Sequence, residues 1–271
     1  ARRMGHIIGP VGGLARPFQR VEAEELSRSV VAQVELLILR GILRPGERLP
    51  SERELSDRLG VSRPSLREAV ADLQDHGLLT SKPNAGIYVA DVLGSAFSPA
   101  LIDLFSSHEE AVFDYVAFRR DMEGLAAERA AHYGSNTDLE VIATIFHKME
   151  AAHQKRDPSD EAELDANFHM AIIEASHNVV MLHMMRSMYD LLRQGVFYNR
   201  QMMFKNRLTR DMLLDQHRAI NAGVQSRDPK AARAAVEAHM DYVKQSMADQ
   251  IKAAKNEAIA RQRLEHERGR A

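Results

Sequence analysis

Twelve histidines in a chain without cysteine make imidazole the first chemistry to place, and helical phase sorts them. In "ELDANFHMAIIEASHN" Asp165 and His169 stand four apart and so share a helix face, beside the apolar edge of Leu164, Phe168 and Ile172. In "RDMLLDQHRAINAGV" His217 falls on the stripe of Leu213, Leu214, Ile220 and Val224. In "AAVEAHMDYVKQSM" His239 follows Val236 by three and precedes Val243 by four. All four groups therefore face inward. A single buried histidine is ordinarily a hydrogen-bonded core residue. Three of them converging with a carboxylate are better explained by a metal ion, which offsets the cost of burying the carboxylate and keeps the imidazoles neutral. Helical bundles build metal sites in this way, from facing helices with an i, i+3 or i+4 pair. Phase gives direction and not proximity, so on this ground the core-histidine alternative stays open. His132, His147, His153, His177 and His183 show no such pattern and read as incidental.

A second chemistry sits in "LGVSRPSLREAV", residues 59–70. Leu66, Ala69, Val70 and Leu73 recur at the spacing of one buried helical face, and Arg63 and Arg67 share another. Arginines near the N-terminus of such a helix suit base edges in a major groove. Ser62 and Ser65 can reach phosphate oxygens there, assisted by the positive end of the helix dipole. A surface helix with two solvated arginines is the competing reading, and the neighbouring elements weigh against it.

Those elements are as follows. Glu22 to Arg40 reads as a helix with the stripe Leu26, Val30, Val34, Leu37 and Ile38, stopped by Gly41. Ser51 and Glu54 fit a capping box opening a short helix that Gly60 closes. Ser62 caps the next helix, with Pro64 tolerated in its first turn and Gly77 ending it. "LLTSKPNAGIYVADV" then reads as two short strands around Pro83, Asn84 and Gly86. Three helices and a hairpin predict a winged helix-turn-helix over residues 22–91, preceded by a flexible N-terminal arm over 1–21. Residues 92–109, with Gly94 and Pro99, read as a linker. Beyond it every segment has helical period: about 110–133, 137–156, 160–176, 178–205, 209–226 and 229–260. The expected architecture is mainly α, with an all-helical effector-binding and dimerisation domain over 110–250 and a charged C-terminal extension over 251–271.

Composition bounds the partners. The net charge of −2 argues against a wholly basic nucleic-acid binder, yet residues 1–90 hold 13 Arg and Lys against 11 Asp and Glu, all but one of the cations arginine. No apolar run approaches a membrane span, no signal-peptide pattern opens the chain, and the absence of Cys excludes a disulfide framework. A reducing cytoplasm is the simplest location.

"LRPGERLPSERELSDRLGVSRPSLREAVADLQDHGLL" resembles the DNA-binding half of the GntR superfamily. The helical half, with Asp165 and His169 followed by His217 and His239, resembles the FCD effector domain of its FadR subfamily. Within that subfamily, "FHMAIIEASHNVVMLHMMRSMYDLL" and "RRDMEG" are most similar to regulators of lactate, glycolate and pyruvate metabolism. The resemblance implies DNA contacts at Arg53, Ser62, Arg63, Ser65 and Arg67, and at the wing tip near Asn84 and Gly86. Family wings often carry consecutive glycines, and "KPNAGIYV" departs from that pattern. It implies a divalent metal on Asp165, His169, His217 and His239, zinc first, with nickel, manganese or iron as alternatives. Pyruvate-sensing relatives lack that set, which tilts the effector toward a hydroxy acid.

Four protein ligands leave coordination positions where a 2-hydroxy or 2-oxo acid could chelate. Arg119 lies in "FDYVAFRRDMEGLAAERAA", where Phe118, Met122, Leu125 and Ala126 mark the buried side, and it matches a recurrent family arginine. It is the candidate clamp for the effector carboxylate, with a salt bridge to Glu123 as the competing role. Asn178 and Arg200 are effector candidates from the resemblance alone. The implied protein is a homodimeric, non-enzymatic transcriptional regulator reading a palindromic operator, with small-acid binding altering the spacing of its recognition helices. The alternatives are an acyl-CoA-responsive FadR-type regulator and a metal-dependent hydrolase.

Overall fold

The computed structural model describes residues 23–83, 85–91, 97–155, 157–193, 203–204 and 207–269. They divide into two compact units, one reaching Ile38 and resuming over Leu43–Ala90, the other comprising Leu39–Ile42 and the chain from Asp91 onward.

The first unit holds α1 (Ala23–Leu39), α2 (Glu52–Leu59), α3 (Arg63–Asp75) and an antiparallel hairpin of β1 (Leu79–Lys82) and β2 (Gly86–Val89). Leu79 pairs with Val89 and Lys82 with Gly86, while Arg48 bridges to Tyr88. Val30, Val34 and Ile38 of α1 pack with Leu66, Ala69, Val70 and Leu73 of α3 and with Leu49, Leu79 and Val89. Leu26, expected on the stripe, is 37% exposed because it lies a turn before that core begins. The Ser51 hydroxyl accepts from Glu54 N at 3.3 Å, whereas the Glu54 carboxylate turns to Arg58 at 2.5 Å. Gly60 ends α2 at φ +65°, a left-handed conformation that glycine adopts without strain.

The second unit is all-helical: α4 (Pro99–Ser107), α5 (Glu109–Tyr133), α6 (Asn136–His153), α7 (Ser159–Ala175), α8 (Val179–Arg193), α9 (Arg207–Gln225) and α10 (Pro229–Gly269). The segment expected to be a linker over 92–109 carries α4. Ser98 caps it by accepting from Leu101 N at 3.3 Å and Pro99 occupies its first turn, so the proline starts a helix where it reads as a breaker. Phe97, Ile102 and Phe105 pack against the core of this unit. α5 lies along α10, α6 against α7 and α9, and α9 against α10. Gly223 allows the last crossing, since a Cβ there would stand 2.8 Å from the Ala232 backbone. The expected helix over 178–205 is described to Arg193, and the stretch over 194–202 lies outside the described residues, as does the N-terminal arm. α10 continues past the expected 260 to Gly269, with residues 252–269 exposed. No helix among the described residues is long and apolar enough to cross a membrane.

Candidate metal centre and nucleic-acid interface

Asp165 and His169 project from α7, His217 from α9 and His239 from α10, and their four ligand atoms lie within 4.8 Å of one another. All four residues are at most 3% exposed. The i, i+4 spacing on α7 and the single inward positions on α9 and α10 thus meet at one point. His217 Nε2 stands 2.8 Å from Asp165 Oδ1 and 3.2 Å from His169 Nε2.

The other nitrogen of each ring explains what this point can bind. His217 Nδ1 donates to Leu213 O, one turn back on α9, at 2.6 Å. His239 Nδ1 donates to Gln216 Oε1 at 2.9 Å. His169 Nδ1 lies 2.7 Å from Glu123 Oε2. With Nδ1 of His217 and His239 turned to these acceptors and that of His169 against the Glu123 carboxylate, the opposite ring edges and the Asp165 carboxylate face one another. Like ends crowd together, and a cation relieves them. An added proton would serve one pair; a metal ion takes all four, and the donor set of three imidazoles and a carboxylate suits zinc, nickel, iron or manganese. The residues present fit the group.

Beside the centre a small cavity is lined by Arg119, Asp165, His239, Leu213, Val243, Met203 and Phe204. Arg119 is buried and makes the salt bridge to Glu123 expected as its competing role. Its Nε donates to Glu123 Oε1 at 2.6 Å and its Nη2 to the Tyr189 hydroxyl at 2.7 Å, while the side chain also lines the cavity. Tyr189 in turn donates to Glu123 Oε1 at 2.8 Å. Burial pushes the Glu123 carboxyl up, but Arg119 and then His169 more than offset it and hold the group well below the usual carboxylate range. Burial pushes the Tyr189 phenol well up, only partly opposed by Arg119, so it stays a neutral hydroxyl. Leu125, expected on the buried side, is 36% exposed, since the inward face of α5 runs through Arg119, Glu123, Ala126 and Ala130 instead.

Asn178 caps α8, its Oδ1 accepting from Met181 N at 3.0 Å, and does not line the cavity. Arg200 lies outside the described residues. Glu123, Tyr189 and Gln216 are site residues that sequence reasoning missed. For Glu123 the signal was its i+4 spacing from Arg119, which identifies one partner and not the second.

In the first unit Arg53 and Arg63 are exposed. Arg67 is exposed too and pairs across to α2, its Nε 2.8 Å from Glu52 Oε1. Ser62 caps α3, accepting from Ser65 N at 3.3 Å. Ser65, expected to reach phosphate, is buried, its hydroxyl 2.9 Å from that of Ser62, because the third position of a capped helix folds under the cap. At the wing, Gly86 has φ +106° and the Arg48 guanidinium packs where a Cβ would stand. Lys82 Nζ sits 4.6 Å from the Tyr88 ring centre. Asn84 lies outside the described residues.

Known proteins place this pair of units. The family model for bacterial regulatory proteins of the gntR family matches residues 26–89, and the FCD domain model matches 114–242. The Glc operon transcriptional activator of Escherichia coli is 32% identical over 231 residues, 84% of this chain and 91% of its own. The putative L-lactate dehydrogenase operon regulatory protein of Escherichia coli is 34% identical over 251 residues, 90% and 96% of the two chains. A solved structure titled Streptococcus agalactiae GntR covers 81% of this chain and 99% of its own at a TM-score of 0.51 and 24% identity, a likeness of fold. A capped helix-turn-helix with a wing, joined to an FCD domain and matched by regulators along nearly their whole length, makes this chain a member of the GntR family, a DNA-binding transcriptional regulator and not an enzyme.

Proposed function

We propose that this regulator holds a divalent metal ion, zinc first and nickel, manganese or iron as alternatives, on Asp165, His169, His217 and His239, and that a small 2-hydroxy or 2-oxo carboxylate binding beside it controls operator affinity. The observation that carries the reading is the convergence of three histidines and a buried aspartate, with one ligand atom of each within 4.8 Å of the others and the far nitrogens of the rings turned to other acceptors. Charge supports the effector class. Asp165, Glu123 and Arg119 together carry one net negative charge; a divalent cation makes that one net positive, and a monocarboxylate brings the buried site to neutrality. The cavity beside the centre is small, which favours a two- to four-carbon acid over an acyl-CoA.

A bound cation would supply open coordination positions for a carboxylate and its neighbouring hydroxyl or keto oxygen. This chain's own residues do the rest. Arg119 orients the second carboxylate oxygen, Leu213, Val243, Met203 and Phe204 exclude water, and the Nδ1 acceptors keep the rings aimed. On the DNA side, Arg63 and Arg67 supply cations, and Ser62 a hydroxyl, at the end of α3 that enters the groove, with Arg53 contributed from α2 and Gly86 at the wing. Ser65 acts through Ser62. A homodimer of such modules reads a palindrome in the cytoplasm. The name of the L-lactate dehydrogenase operon relative points the same way.

The test is a thermal-shift and calorimetric screen of glycolate, L-lactate and pyruvate against the purified chain, with and without chelator. A ligand of the native state at a hundred times its Kd should raise stability by about 2.7 kcal/mol. A shift that chelator leaves intact would sink the metal-borne site.

A further inference from the structure

Three rings converge on the centre, and what holds them from behind differs. His217 leans on a carbonyl of its own helix and His239 on a neutral amide. Among the described residues, His169 is the ring backed by a carboxylate, Glu123 of α5, itself 2% exposed. A neutral acceptor would aim a ring as well, and burying a carboxylate is costly, so the charge needs a reason. The other oxygen of Glu123 supplies one. Oε1 receives Arg119 Nε at 2.6 Å and the Tyr189 hydroxyl at 2.8 Å, and Arg119 lines the cavity with Asp165 and His239. Oε2 is buried, meets His169 as an ion-pair contact at 2.7 Å, and has no aligned hydrogen bond among the described residues. One carboxylate therefore ties a ring facing the centre to a guanidinium facing the cavity.

We propose that Glu123 is the positioning residue of the regulatory site, fixing the His169 ring with its hydrogen on Nδ1 and, through its second oxygen, the Arg119 guanidinium against the cavity. Affinity for metal and affinity for the carboxylate are then set by one buried group. The proposal rests on the reading of the four ligands as a metal centre. A carboxylate behind a ligating imidazole makes the ring more basic and selects its tautomer, and losing such a partner typically lowers metal affinity 10- to 100-fold.

The experiment uses the full chain, zinc alone as the metal probe and L-lactate as the carboxylate probe. Nitrogen-15 spectra of the metal-free wild type should show His169 carrying its hydrogen on Nδ1. In Glu123→Gln, whose amide can present a donor to the ring, that hydrogen should move to Nε2. Zinc affinity, read by competition with a chromophoric chelator, should fall about 10- to 100-fold. L-lactate affinity at saturating zinc should fall with it. A lower melting temperature with unchanged tautomer and unchanged zinc affinity would mark Glu123 as a packing residue and overturn the proposal. If Glu123→Gln does not fold, the wild-type spectrum still decides, because a His169 hydrogen on Nε2 contradicts it outright. A wild type that takes up no zinc while its His169 hydrogen sits on Nδ1 overturns the metal reading beneath the proposal and is a distinct result.

Discussion

At the start of α9 the buried His153 of α6 stands between carboxylates, its Nε2 2.8 Å from Asp211 and its Nδ1 3.4 Å from Glu161. Glu161 is gripped by Arg210, which also donates to the carbonyls of His153 and Lys155 at 3.1 and 3.0 Å. Two turns further along the same helix, His217 meets two other imidazoles and an aspartate at their acceptor ends. Both clusters are buried, rich in His and acid, and fixed to α9. In the first, the buried Glu161 has its own permanent cation in Arg210 and Asp211 lies against His153, so the cluster is closed without a further ion. In the second, acceptors meet acceptors. Composition does not separate a structural histidine from a ligand; the partner of its second nitrogen does.

The closed cluster gives the largest expected effect. Arg210→Met removes the counter-charge of a buried carboxylate, which should cost about 3–5 kcal/mol in a denaturant titration. Zinc bound per folded chain should not change. If metal is lost while the chain is still folded, the two clusters are not independent and the contrast between them fails.

Removing a ligand should do the reverse. His217→Ala or His239→Ala should weaken zinc binding by more than the roughly 100-fold that loss of a supporting partner can reach, and blunt the effector response, with bare DNA binding still measurable. His153→Ala should keep its zinc. Elemental analysis of the three purified variants reads this directly, and full occupancy in a double His217/His239 variant would show the ligand set to be wrong.

Arg119→Ala is expected to keep the metal and lose effector. A charge-assisted hydrogen bond contributes about 1.5–3 kcal/mol, so calorimetry should show lactate or glycolate binding weakened roughly ten- to a hundredfold. Unaltered affinity with lowered stability would leave Arg119 a structural partner of Glu123 and Tyr189.

How far these clusters were legible beforehand follows from how local their determinants are. The face of α3, the caps at Ser51 and Ser62 and the inward phase of His169, His217 and His239 depend on neighbours within a turn or two, and each is read directly from spacing. The Glu123 contact with His169 joins residues 46 positions apart on different helices, and no periodicity encodes it. His153 read as incidental because Asp211 lies 58 residues away. Ser65 and Leu125 each sit where helical phase leaves either side open and packing decides. α4 was lost to its proline, since Ser98 and Pro99 open a helix only when an apolar face, here Ile102 and Phe105, has a core to join.

A third histidine–carboxylate pair, at the surface, sets the scale for both buried ones. His177 Nε2 lies 2.8 Å from Asp138 Oδ2 at the start of α6, where Asp138 also accepts from Ser135 N at 2.8 Å and the Ser135 hydroxyl at 2.6 Å. Partial burial pushes the Asp138 carboxyl up, but Ser135 and then His177 more than offset it and hold it below the usual aspartate value. A carboxyl depressed in the folded state stabilises the fold at pH values above its unfolded value, and that contribution is lost as the pH falls through the folded one. Asp138→Asn keeps an acceptor for the cap and removes the charge, so its cost at neutral pH should be about 1 kcal/mol or less, the scale of a helix cap. Urea titrations of wild type and Asp138→Asn, in chelator so that metal does not enter, should diverge at neutral pH and converge as the solution becomes more acid than the ordinary aspartate range. A gap between wild type and Asp138→Asn that stays constant into acid would mean the carboxylate's charge contributes nothing there and that the cap alone holds the turn.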